Sequence, residues 1–301
     1  MDSRRVAVLC NFEKSEAKSA CQTAVRWLKK NRIGAVTSAG SGALRSCEFA
    51  VVLGGDGTML RFARALAPLG VPILGINLGR LGFLAETALA NMQSAIKKAL
   101  NSELEIEERM LLQVSVFSGA KGGLGASGAR GSGAKSGAKP KYKFLALNDC
   151  YLHASSTNRI VEIETSLNGR FLASYTGDGL IVATPTGSTA YSLAASGPIV
   201  SPRLPVMLLT PICPHTLAQR PLVVSSEDTV ELKLSGSARG MFVLLSTDGQ
   251  QTLKIRKGDR VVIESAPQRA KLLVQPGRSY YEILRSKLKW GEQVGVYKNA
   301  R

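Results

Sequence analysis

Apolar and polar positions follow two different rhythms along the chain, and the change falls near Ile106. Before it, short unbroken apolar runs at Val6–Cys10, Phe49–Leu53 and Val71–Ile76 predict buried strands. Between and after them, apolar residues recur at helical spacing over Ser15–Lys30, Met59–Leu66 and Gln93–Leu100. Strands alternating with helices argue for a parallel sheet. Beyond residue 106 the pattern becomes short strands punctuated by glycine and proline: Met110–Phe117, Tyr142–Leu152, Val161–Leu167, Leu180–Ala183, Val206–Leu209, Thr229–Leu234, Met241–Leu245 and Arg260–Glu264. Tyr280–Trp290 returns to helical spacing, as a helix packing back on the first domain would. The expected fold is an α/β amino-terminal domain with an open, mostly parallel sheet, plus an all-β, sandwich-like carboxyl-terminal domain. The first domain takes residues 1–105, completed by 276–301, and the second takes 106–275.

One segment fits neither rhythm. Residues 119–140 read GAKGGLGASGARGSGAKSGAKP, with no aromatic or β-branched residue, so they cannot bury enough apolar surface to order themselves. Strands on both sides make insertion 119–141 an inflated hairpin loop, which costs little extra closure entropy. We expect it to be mobile and dispensable for folding. Two nucleotide-binding patterns inside it are rejected. Gly123–Gly128 spells G-x-G-x-x-G with no helical pattern after it, and Gly128–Gly133 has phosphate-loop spacing with Ala134 where a lysine is needed.

Composition narrows the classes. A 301-residue chain with 45% hydrophobic and 20% charged residues is globular, and no apolar run approaches a membrane span. The amino terminus lacks the features of a signal peptide. Five scattered cysteines, never in C-x-x-C spacing, fit reduced thiols in a cytoplasmic protein. Only His153 and His215 are present, so a histidine metal site is not expected. The outlying quantity is charge: 39 basic against 22 acidic residues give +17, which invites a nucleic-acid reading. Six of those charges (Lys121, Arg130, Lys135, Lys139, Lys141 and Lys143) lie in or beside the insertion, and aromatics make up only 6%. A nucleic-acid binder would interleave basic and aromatic residues on a folded face. No nucleic-acid or membrane partner is expected.

Three segments carry candidate chemistry. Val51–Thr58 (VVLGGDGT) ends a buried strand in glycines around Asp56, where backbone can approach phosphate and a carboxylate can take a proton or hold Mg²⁺. The bland alternative is a strand-to-helix turn with Asp56 capping the helix. Asn77–Leu84 (NLGRLGFL) follows the next strand and falls on the same sheet edge. Gly177–Ser192 (GDGLIVATPTGSTAYS) crowds hydroxyls and one aromatic ring into a turn after a strand, suited to ribose, phosphate and base but equally to a solvated turn.

These segments, with Asn148-Asp149, Pro214–Val223 (PHTLAQRPLV) and the terminal LRSKLKW, occur in one order that resembles the NAD kinase family. TPTGSTAY is highly specific. GGDGT is shared with diacylglycerol and sphingosine kinases and resembled by phosphofructokinases. The resemblance implies ATP-dependent phosphorylation of the 2′-hydroxyl of the adenosine ribose of NAD, with Asp56 as proton acceptor. It implies that Gly55, Gly57 and Thr58 form the phosphate-facing turn and that Arg61 neutralises phosphate charge. Asn148 and Asp149 match an Asn–Glu pair that holds ribose hydroxyls; the shorter Asp149 leaves the substrate closer or a water in the gap. Asp178 matches an amide-binding aspartate, and Thr189, Ala190, Tyr191, Ser192, Leu193 and Ala194 match an NAD-contacting loop. Arg159, Thr176, Thr186, Cys213 and Gln250 fall at further contact positions, although a free cysteine such as Cys213 is more commonly a buried small residue. Mg²⁺ or another divalent cation would enter with ATP, with no permanently bound cofactor. Some family members also use polyphosphate, and members work as homodimers or homotetramers. A lipid kinase sharing GGDGT is the alternative enzyme, disfavoured by the polar TPTGSTAY loop.

Overall fold

The computed structural model describes residues 4–37, 40–79, 82–85, 87–119, 139–154, 160–235, 242–277 and 279–289. Most of the predicted insertion, residues 120–138, therefore lies outside the described residues. The chain divides into two compact units, Met1–Met59 with Pro72–Glu107 and Leu272–Arg301, and Leu60–Val71 with Glu108–Lys271.

The first part of the chain runs β1 (Arg5–Cys10), α1 (Ser15–Lys30), β2 (Gly34–Val36), α2 (Ser41–Arg45), β3 (Phe49–Leu53), α3 (Asp56–Leu66), β4 (Ile73–Asn77), β5 (Thr87–Ala88) and α4 (Met92–Leu100). Every strand pair here is parallel: β1 lies between β2 and β3, and β4 pairs with β3 and with β5. Buried on both faces, β3 and β4 read as continuous apolar runs, which is why the sequence shows them as such. Ala17, Ala20, Ala24 and Leu28 of α1 and Met92, Ala95, Ile96 and Leu100 of α4 pack in one core with Val8, Val51, Leu53, Leu74 and Ile76. The small alanines let α1 approach the sheet closely.

The chain continues through β6 (Glu105–Phe117), β7 (Tyr142–Ala146), β8 (Asp149–Ala154), β9 (Val161–Leu167), β10 (Arg170–Gly177), β11 (Gly179–Ala183), a 3₁₀ turn at Thr186–Thr189 and α5 (Tyr191–Ala194). It ends with β12 (Val206–Ile212), β13 (Leu222–Ser225), β14 (Val230–Leu234), β15 (Phe242–Thr247), β16 (Gln251–Arg256), β17 (Arg260–Val274) and α6 (Tyr280–Leu288). In the second unit β13-β12-β11-β8-β15-β16 form one antiparallel sheet. β10, β9, β14 and the start of β17 pair antiparallel in that order, as do β6 and β7. Their apolar faces share a core that includes Leu112, Val114, Leu152, Ile163, Val182, Leu209, Leu232, Leu245 and Ile263. The expected fold class is met: a mostly parallel α/β part followed by an antiparallel, sandwich-like β part.

Two boundaries differ from the sequence reading. The single strand expected over Tyr142–Leu152 is two strands, broken at Leu147-Asn148, for a reason given below. The strand expected over Arg260–Glu264 continues to Val274. Pro267, which has no N–H for a ladder, interrupts the apolar alternation and hides the continuation. The helix expected to run to Trp290 ends at Leu288, where Lys289 adopts φ 52°. Among the described residues no helix is long and apolar enough to cross a membrane.

Candidate functional site

In the first unit, β3 leaves the sheet through Gly54, whose amide donates to the Ile76 carbonyl of β4 at 2.9 Å. The Gly55 carbonyl then accepts from Thr58 and Met59 at 3.0 and 3.1 Å and starts α3, placing Asp56 in the first helical turn. The half-buried Asp56 carboxylate reaches across to the second glycine-rich segment. Oδ2 accepts from the Phe83 amide at 3.1 Å, and Oδ1 from the Leu84 amide at 3.2 Å. A Cβ on Gly82 would lie 1.9 Å from Asp56 Oδ1, so a side chain there would evict the carboxylate. The Asn77 side chain folds the same segment back, accepting from the Gly79 amide at 2.7 Å. The two glycine motifs thus converge at the carboxyl edge of β3 and β4, and Asp56 is held by a neighbouring loop. Gly55 and Gly57 are exposed, and Thr58 is half-buried.

In the second unit the Asn148-Asp149 turn is gripped from two directions. On one side the Asn148 carbonyl accepts from the Thr184 amide at 2.8 Å, and Thr184 Oγ1 donates to the Leu147 carbonyl at 2.6 Å. A Cβ on Gly187 would come within 2.0 Å of the Asn148 oxygen, so the 3₁₀ turn can close only with glycine there. On the other side Asp248 accepts from the amides of Leu147, Asn148 and Asp149 at 3.0, 2.8 and 3.2 Å and pairs with Arg64 of α3. Those amides cannot also serve a strand ladder, which is why β7 and β8 are separate.

Alternation along β8 puts Asp149, Tyr151 and His153 on one sheet face and the core residues Cys150 and Leu152 on the other. The Tyr191 ring meets Tyr151 edge-on at 4.9 Å. Asp149 is only 3% exposed. Burial, with the Asp248 charge second, pushes its carboxyl up to about 7, against a smaller opposing pull from the Tyr191 amide. Burial also raises the Tyr191 phenol, helped by the charges of Tyr151, Cys213, Asp178 and Asp149. The result is a strip of acids and aromatic rings with hydrogen-bonding edges and a stacking surface.

The remaining expected residues divide by exposure. Thr189, Ala190 and Leu193 are half-buried and Tyr191 and Ala194 exposed, so this loop offers a reachable surface. Ser192 is turned inward, its hydroxyl 2.9 Å from Thr210 Oγ1. Thr186 is buried and accepts from the buried Arg109 at 3.4 Å. Asp178 is exposed in the β10–β11 turn, and the half-buried Thr176 gives its carbonyl to the His215 amide at 2.9 Å. Cys213, for which a buried small-residue role was the common alternative, is exposed with φ 43°. Gln250 is exposed and accepts from Arg64 Nη2 at 2.6 Å. Arg61 is exposed on α3, with its guanidinium 5.4 Å from the Phe62 ring centroid. Arg159 lies outside the described residues. Sequence reading misses Arg64 and Arg109; it has Gly82 only as part of the second glycine-rich segment, and Asp248-Gly249-Gln250 only as a late strand end that approaches the site, without a role for the Asp248 carboxylate. Only the Asp248-Gly249 turn signal was legible for the last of these.

Residues 42–104 match the ATP-NAD kinase N-terminal domain, and residues 147–274 match the ATP-NAD kinase C-terminal domain. An NAD kinase from Geotalea daltonii is 41% identical over 246 residues, covering 82% of this chain and 80% of the relative. One from Moorella thermoacetica is 38% identical over 301 residues, covering 96% and 90%. The chain belongs to the NAD kinase family. Among solved structures, the NAD kinase of Archaeoglobus fulgidus in complex with ATP superposes with a TM-score of 0.71 at 26% identity, covering 95% of this chain and 98% of that one. The yeast NADH kinase complexed with NADH shares the fold, with a TM-score of 0.84 at 21% identity over 98% of this chain and 90% of that one.

Proposed function

We propose that the chain transfers the terminal phosphoryl group of ATP to the 2′-hydroxyl of the adenosine ribose of NAD, giving NADP and ADP. The observation that carries this reading is the Asp56 carboxylate, fixed by two backbone amides at the end of a buried parallel strand and flanked by exposed glycines. Phosphoryl transfer needs positioning and charge neutralisation more than covalent help. Asp56 accepts the proton of the 2′-hydroxyl as its oxygen bonds to the γ-phosphorus and ADP departs. Gly55 and Gly57, without side chains, let phosphate come close to backbone N–H groups, with Thr58 beside them. Arg61, exposed on the helix surface, neutralises phosphate charge.

Asn148 and Asp149 hold ribose hydroxyls. With a carboxyl that titrates near neutrality, Asp149 can donate to a ribose oxygen or accept from a hydroxyl. Asp178 takes an amide of the dinucleotide, and Thr189, Ala190, Tyr191, Leu193 and Ala194 line its bed. Thr176, Arg159, Cys213 and Gln250 are further contacts, while Ser192 and Thr186 act by shaping the loop. Among the described residues no three His, Cys, Asp or Glu side chains converge as metal ligands. In this reading Mg²⁺ or another divalent cation arrives on the phosphates of ATP. The enzyme works in the cytoplasm as a homodimer or homotetramer, which sedimentation velocity would measure.

A coupled assay for NADP formed from NAD and ATP tests the proposal. Steady production that stops when the divalent cation is chelated is the expected result. Phosphate transfer to diacylglycerol with none to NAD would overturn it.

A further inference from the structure

The turn between β15 and β16 holds Asp248 at φ 50° and Gly249 at φ 64°. Asn, Asp or Gly satisfy such a turn equally well, so its shape does not call for a carboxylate. The carboxylate is nonetheless completely shielded from solvent, a costly placement unless paired and hydrogen-bonded. Four donors meet it. Oδ1 accepts from the Asn148 and Asp149 amides, and Oδ2 from the Leu147 amide and Arg64 Nη1. The Asp248 amide returns a bond to the Asp149 carbonyl at 2.8 Å. Three consecutive amides turned onto one buried acid are what break the strand and fix the Asn148-Asp149 backbone.

We propose that Asp248, neutralised by Arg64, is a positioning residue for ribose recognition: its carboxylate fixes the Asn148-Asp149 turn in the arrangement that presents both side chains to the adenosine ribose. The inference rests on the kinase reading above. Fixing the turn from the Thr184 and Gly187 side uses only neutral groups, whereas Asp248 adds a charge beside Asp149. Among the described residues, the other groups acting on Asp149 are the Tyr191 amide and phenol, and Arg64 through Asp248.

The test uses the full-length enzyme, Asp248→Asn, Arg64→Gln and Arg64→Lys, with KM for NAD and for ATP measured separately across pH. Asp248→Asn keeps the β15–β16 turn and one acceptor oxygen, but removes the charge and sets an NH2 group against two of the four donors. It should raise KM for NAD about tenfold or more with KM for ATP nearly unchanged. The low-pH limb of kcat/KM for NAD should move to lower pH, because the negative neighbour that disfavours Asp149 ionisation is gone. A residue that merely stabilised the fold would lower kcat through the active fraction and leave KM and the limb in place, and that result overturns the proposal. Should Asp248→Asn not fold, Arg64→Gln decides. By leaving Asp248 uncompensated, it should move the limb to higher pH and raise KM for NAD, with Arg64→Lys restoring most of both; an unmoved limb and KM overturn the proposal. Wild-type enzyme that forms no NADP would overturn the kinase reading and this inference together, whereas active wild type with unmoved variants overturns this inference alone.

Discussion

A carboxylate anchored by two backbone amides keeps its position through a reaction cycle. Asp56 has that arrangement, with one carboxylate oxygen accepting from the Phe83 amide and the other from the Leu84 amide. Asp56→Asn should therefore preserve the fold and NAD binding while lowering turnover about 10²–10⁴-fold. Isothermal titration with NAD beside steady-state kinetics checks both halves, and near-normal turnover would remove Asp56 from the role of base. Asp149 makes a different prediction, about pH. Its carboxyl titrates near 3.8 in an ordinary setting and at about 7 here. Between those values the folded protein holds a proton that the unfolded chain has released, so stability falls as pH rises through the window. The slope from this group is at most about 1.4 kcal/mol per pH unit. Denaturant unfolding of Asp149→Asn from pH 4 to 7 should show a flatter profile than wild type; parallel profiles would refute the assignment.

At the scale of elements, glycines decide where loops can close. Gly82 and Gly187 sit where a methyl group would meet the Asp56 carboxylate and the Asn148 carbonyl, whereas a methyl on Gly79 would meet nothing within 4 Å. Gly187→Ala and Gly82→Ala should each cost about 1–3 kcal/mol and most of the activity, since the displaced groups belong to the proposed base and the proposed ribose-holding turn. Gly79→Ala, in the same segment as Gly82, should be tolerated; thermal melts and turnover on the three proteins distinguish them. Segment existence was legible because two-sided burial writes β3 and β4 as apolar runs and one-sided burial writes α1 at helical spacing. The break at Leu147-Asn148 was not legible, because it depends on an acid a hundred residues further along the chain.

For the whole molecule, the charge of +17 is the outlying global property, and six of those charges lie in or beside residues 119–141. The strands flanking that segment pair from Val116↔Tyr142 to Leu112↔Ala146, so a short turn can join them. Replacing residues 120–138 with a tight glycine-containing turn should leave cooperative unfolding and NADP formation intact, while removing any DNA binding seen at low salt. Loss of soluble, cooperative folding in that variant would show the segment to be structural.

By itself the sequence determined the division into an α/β part and a β part, the strand-end position of Asp56, and the motif order that marks an NAD kinase. Periodicity, turn chemistry and glycine placement are local, and the chain states them directly. Only the tertiary structure decided which groups meet: Gly82 with Asp56, Arg64 and Asp248 with the Asn148-Asp149 turn, and Tyr191 with Tyr151 and Asp149. Those contacts depend on strand pairing and burial, which bring distant residues within hydrogen-bonding range and reset how their charges behave.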